Sequence, residues 1–163
     1  MDPEIQAAYA QSFRGKLYLC AFDRYIPLRL SRTSDKFSWG VTPENDWLQA
    51  GGEQNSPTMD FTFDSQTDDR LHFHIAIPGP RDMKKLGVSV NGYLGFYWFA
   101  EVKDFWKIEP LMQTDAGLFC HLRDHLGQRV GFLKDFPHRS RQWVALLNVK
   151  EGETCTFLLK KIP

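Results

Sequence analysis

The segment Leu86-Gly87-Val88-Ser89-Val90-Asn91-Gly92-Tyr93-Leu94-Gly95-Phe96 decides the fold class. Apolar residues alternate on both sides of Asn91-Gly92, and a period of two is the mark of a strand with one face buried. Asn-Gly between two such runs predicts a hairpin closed by a type I′ turn, since both central residues of that turn need positive φ. The same signs recur along the chain in both directions.

Upstream, Leu17, Leu19 and Ala21 alternate with Tyr18, Cys20 and Phe22, and Asp23-Arg24 reads as a turn before Ile26 to Leu30. Both alternating sets are partly apolar, which predicts cover on both faces. Leu71, Phe73, Ile75 and Ile77 alternate with Arg70, His72, His74 and Ala76, and Pro78-Gly79-Pro80 ends that strand. Downstream, strands are predicted over Phe105–Leu111, Gly117–Leu122, Val130–Leu133, Trp143–Val149 and Thr154–Ile162, with turns at Asp124–Gly127 and Glu151-Gly152. Ser31–Pro57 and Phe136–Arg141 show no clear periodicity. The N-terminus differs. Asp2 and Pro3 suit the N-cap and first position of a helix, Ile5, Ala8, Tyr9 and Phe13 share one helical face, and Gly15 is placed to end it. The chain thus reads as one all-β domain over residues 1–163, with a short helix in 1–15 docked on a barrel in 16–163.

Three hairpin-like segments recur: LYLCAFDRYIPLRL from Leu17, LGVSVNGYLGFYWF from Leu86 and LFCHLRDHLGQRVGFL from Leu118. Each is followed, after a variable insert, by a closing strand centred on phenylalanine: Phe61 and Phe63 in the first, Phe105 in the second, Phe157 in the third. A hairpin, an insert and a closing strand, three times over, resembles the β-trefoil pattern, and Gly92-Tyr93-Leu94-Gly95 looks like the strand-opening phrase of fascin-like and growth-factor-like trefoils. That resemblance implies a closed barrel capped by hairpins, with its strand edges removed by closure. The Gln-x-Trp signature of ricin-type lectins is missing, because Arg141-Gln142-Trp143 sets Gln directly beside Trp. Another antiparallel barrel or a jelly roll is the competing architecture.

The composition narrows function by exclusion. Of 163 residues, 42% are hydrophobic, and twenty Lys plus Arg balance twenty Asp plus Glu. Zero net charge argues against nucleic acid as the partner, and the aromatic richness argues against disorder. The start, MDPEIQAAYAQSFRG, shows no signal-peptide pattern, and no apolar run approaches a membrane span, so a cytoplasmic protein is expected. Cys20, Cys120 and Cys155 lie far apart in apolar, strand-like sequence, where thiols act as small hydrophobes.

No nucleophile elbow, Walker loop or dinucleotide fingerprint occurs. His72 and His74 share one strand face; a metal would need a third ligand beside them, and a polar row facing solvent already accounts for the pattern. His121 and His125 have helical zinc spacing in a segment that reads as strand and turn. The scattered acids, Asp60 to Glu109, select no glycosidase pair. No metal or other cofactor is expected. The tryptophans carry more. Trp39 and Trp47 stand in loop-like sequence, Trp47 behind Asn45 and Asp46, and Trp143 follows His138 and Arg141. An indole beside such groups suits a sugar, the ring packing on C–H faces while polar neighbours take hydroxyls. The same residue types make protein-interface hot spots. The expected function is a non-enzymatic, lectin-like binding module using Trp39, Asn45, Asp46, Trp47, His138, Arg141 and Trp143. A protein-binding trefoil such as a protease inhibitor is the alternative, and a small metal-dependent hydrolase the second.

Overall fold

The computed structural model describes residues 1–32, 46–52, 55–98, 102–135 and 144–163. Among these lie one helix, α1 (Pro3–Tyr9), and thirteen strands. The first seven are β1 (Phe13–Ala21), β2 (Arg24–Leu30), β3 (Leu48–Gly51), β4 (Met59–Gln66), β5 (Leu71–Pro78), β6 (Met83–Val88) and β7 (Leu94–Trp98). Then come β8 (Trp106–Thr114), β9 (Gly117–Arg123), β10 (Gly131–Asp135), β11 (Val144–Asn148), β12 (Glu153–Thr154) and β13 (Thr156–Ile162). The protein is mostly antiparallel β, with the strands hydrogen-bonded into one large sheet.

One set of pairings returns on itself. β1 pairs with β13, β13 with β9, β9 with β8, β8 with β5, β5 with β4, and β4 with β1 again. Along these strands the period-two pattern turns one set of side chains inward: Leu17 and Leu19, Phe61, Phe73, Trp106 and Ile108, Leu118 and Cys120, Phe157 and Leu159 are all buried in one core. Aromatic edges hold its middle, with Phe73 meeting Phe13, Phe61 and Phe63 at 5.4, 5.9 and 5.7 Å between centroids. Ile5 and Tyr9 of α1 join the same core.

Three antiparallel pairs, β2–β3, β6–β7 and β10–β11, lie outside that cycle, with β2 joined to β1 and β6 to β5, and touch one another. β3 pairs with β11, Trp47 bridges to Gly95 of β7, and Tyr93 bridges to Asn148 of β11. Trp47, Tyr93, Val144 and Leu146 make a second, smaller hydrophobic cluster there.

Several expectations are corrected. The helix begins as read, with the Asp2 carboxylate accepting from Glu4 N, but it stops at Tyr9. Phe13 and Gly15 belong to β1, where Gly15 pairs with both Lys161 and Met59, and a Cβ there would stand 2.8 Å from the Lys160 carbonyl. Close approach of two strands, not a helix stop, explains this glycine. The turn at Asn91-Gly92 has positive φ only at Gly92: Gly92 N donates to Ser89 O and Ser89 N to Tyr93 O, which makes a type I turn closed by a left-handed glycine. The paired positive φ values fall instead on Phe22 and Asp23, between β1 and β2. Ser31–Pro57, read as irregular, contains β3. The segment from Leu86 begins not at a first strand but at β6, because β5, β6, β7 and β8 pair in the same order as β1, β2, β3 and β4. Finally Phe105 is not core. Trp106 holds that place at 3% exposure, and in a strand a shift of one residue changes the face.

Candidate functional site

Beside the β6–β7 hairpin runs a groove of about 670 Å3. Trp47, Tyr97, Phe105 and Trp106 give it an aromatic wall, and Ser89, Asn91, Asp104 and His125 supply polar groups. Three pieces of chain bring them together: the turn 89–92, the segment 102–105 between β7 and β8, and the turn 124–127 after β9.

Both turns are held by buried polar side chains. Asn148, 1% exposed, donates its amide to Asn91 O and accepts from Lys150 N and Glu151 N, while Lys150 Nζ donates to Val90 O. Ser89 Oγ accepts from Tyr93 N. Across the groove, Asp124 is 4% exposed and its Oδ1 accepts from Leu126 N and Gln128 N. Arg123 braces that turn by donating to Gly127 O, and its Nε donates to Glu109 at 2.5 Å. Burial pushes the Glu109 carboxyl up, but the Arg123 hydrogen bond and charge outweigh it and hold the group below its ordinary value. Loops locked in this way bind without first losing their own freedom.

The two groove tryptophans differ in one respect. Trp106 donates its indole N–H to Leu86 O at 2.8 Å. Trp47 is 8% exposed and stacks on Tyr93 at 4.5 Å, and its Nε1 is buried with no hydrogen-bond partner among the described residues. A buried donor left unpaired costs about 1–3 kcal/mol.

Of the residues proposed from sequence, Trp47 lines the groove, though as a packed ring rather than an open stacking platform. Asp46 does structural work outside it: at φ +67°, its carbonyl accepts from Phe96 N and its carboxylate holds Lys84 Nζ at 2.7 Å. Lys84 in turn lies over Trp98. Trp39, Asn45, His138, Arg141 and Trp143 lie outside the described residues. The groove residues missed from sequence are Ser89, Asn91, Asp104, Phe105 and His125. Turn chemistry marks Ser89, Asn91 and His125, while Asp104 and Phe105, in the segment 102–105, carry no such signal.

The histidine row is also corrected. His72 does not face solvent; it is 7% exposed and stacked under Phe105. Among the described residues no three His, Cys, Asp or Glu side chains converge as metal ligands. His121 Nδ1 meets Cys155 O at 3.3 Å, while His125 Nδ1 lies 3.5 Å from Asp104, so the two serve different neighbours. All three thiols are free, and burial pushes them up, that of Cys155 to about 12, far from the nucleophilic thiolate range. No helix among the described residues is long and apolar enough to cross a membrane. No protein-family model matches the chain, and no curated protein or solved structure matches it significantly.

Proposed function

We propose that the chain is a β-trefoil binding module that takes a saccharide in the groove beside β6–β7. The fold reading is supported by the cycle of six pairings together with three antiparallel pairs that meet each other, an arrangement that leaves few strand edges open. The ligand reading is carried by one observation, a groove whose lining sets Trp47, Tyr97 and Phe105 beside Ser89, Asn91, Asp104 and His125. Saccharides offer both hydroxyl acceptors and apolar C–H faces, and this lining matches both.

The variant Asp104→Ala removes an exposed carboxylate from the groove lining. Its affinity for a saccharide bound by the parent is expected to fall roughly tenfold, the size of one net hydrogen bond, with unfolding stability unchanged within about 1 kcal/mol. Calorimetric titration with a panel of mono- and oligosaccharides measures it. A folded parent chain that binds none of them sinks the reading.

A second reading, docking on a protein such as a protease, is favoured by Val90. This residue is 90% exposed at the tip of the locked turn, on the lip of the groove. Leu126, 71% exposed, stands on the opposite turn. A protease panel decides it: inhibition by the parent chain that is lost in Val90→Asp supports this reading, and saccharide binding untouched by the same change supports the first.

A further inference from the structure

The Phe105 wall of the groove is backed by a histidine whose surroundings favour its neutral form. β4 carries a bulge: Phe63 pairs with Phe73, then Ser65 pairs with His72, leaving Asp64 as the extra residue. A bulge re-aims side chains, and here it sets Ser65 Oγ 3.0 Å from His72 Nδ1 and 2.7 Å from Asp64 Oδ2. The serine has one proton, and it goes to the carboxylate. His72 Nδ1 must therefore carry its own proton and donate it to Ser65, which assigns the tautomer from the network. The other nitrogen, Nε2, is then bare and buried, with no hydrogen-bond partner among the described residues. Phe105 covers the ring face to face, at 4.6 Å and 14°.

A bare ring nitrogen in such a place is tolerable. A charged ring with a new N–H aimed at nothing is far worse. We propose that His72 is an acid-sensitive latch: neutral, it clamps Phe105 and the segment 102–105 in place; protonated, it leaves its site and frees that wall of the groove. The device concerns the chain itself and holds whichever ligand the groove takes.

The groups facing His72 come from three sides. Lys107 lies opposite it on β8 and Arg70 just before it, and both oppose a second positive charge; Asp64 favours one. His74, next on the same face, meets Phe105 edge-on at 6.5 Å and has Nε2 3.6 Å from Asp64. Burial is the largest influence and Lys107 the next, and together they outweigh Asp64, holding His72 below the ordinary 6.5. A cation stacked on Phe105 would regain a modest attraction, but both neighbouring cations and the lost solvation act against it. The sign follows. The unfolded chain binds the proton more readily than the folded one, so the closed latch is fully favoured above pH 6.5 and weakens as pH falls through the lower folded value. Asp104, beside Phe105, meets His125 at 3.5 Å in an exposed contact that is worth little.

The test is an NMR titration from pH 8 to pH 5 that follows the His72 ring, the Phe105 ring and the methyls of Val102, which packs against Gly87. Phe105 and Val102 are expected to shift together with His72, in one step about two pH units wide centred below 6.5. His72→Phe, which keeps the stack without a titrating nitrogen, is expected to flatten the response, with His72→Gln as the second variant should the first fail to fold. His125→Gln is expected to leave it intact. A static Phe105 while His72 titrates overturns the proposal. So does a response that survives in both His72 variants, or one that His125→Gln removes.

Discussion

Phe73→Ala is expected to lower folding stability by about 3–5 kcal/mol, the range for an aromatic ring deleted from a packed core. The residue is fully buried on β5, and three other rings close on it edge-first from β1 and β4. Those neighbours are themselves fixed by strand pairing, Phe13 with Phe61 and Phe61 with Ile75, so they cannot collapse into the hole without breaking ladders. The cavity therefore persists, and its cost adds to the lost burial. Urea unfolding followed by circular dichroism measures the change, and the melting temperature should drop by on the order of 10 °C. Phe105→Ala is the control. Its ring lies outside the core on His72, so a loss as large as that of Phe73 would contradict the placement of both.

The second large effect is expected at Gly117, the first residue of β9. Its φ is +141°, and a Cβ would stand 2.4 Å from the Leu159 carbonyl of β13 and 3.2 Å from a Leu158 methyl. The obstacle is backbone in the neighbouring strand, which cannot rotate away as a side chain can. Gly117→Ala should cost about 2–4 kcal/mol, from strain and overpacking together. Gly127→Ala separates these two causes. Its φ of +85° is also left-handed, but the nearest atom is Arg70 Nη1 at 3.5 Å, so strain acts there without a clash. About 1 kcal/mol is expected at Gly127. Equal losses at the two sites, measured by the same urea unfolding, would show that crowding against β13 does not matter.

Much of the β structure was legible because burial on one face writes itself into sequence as alternation. β1, β5, β6, β7, β9 and β13 all carry that mark, and glycines with Asn or Asp located the turns. β3 carried no mark. It is four residues long, Leu-Gln-Ala-Gly, and a buried Gln49 interrupts any apolar run. Gly15 was misread because a glycine demanded by close strand approach looks, in sequence, like one that ends a helix. Trp106 and Phe105 were exchanged for a related reason: two adjacent aromatics give no hint of which one faces inward.

Aromatic richness was readable from composition, and it described a well-filled β core. What the chain determined locally, strand periods, turns and the helix start, follows from interactions within a few residues. The groove is different. Trp47, Asn91, Phe105 and His125 are far apart in sequence and meet only after β6–β7, the 102–105 segment and the β9 turn are packed together. Which indole keeps a partner and which is left without one was likewise decided there, by Leu86 O reaching Trp106 and no acceptor among the described residues reaching Trp47. The reason is that hydrogen-bond satisfaction belongs to the three-dimensional neighbourhood of an atom, and no periodicity in the sequence records it.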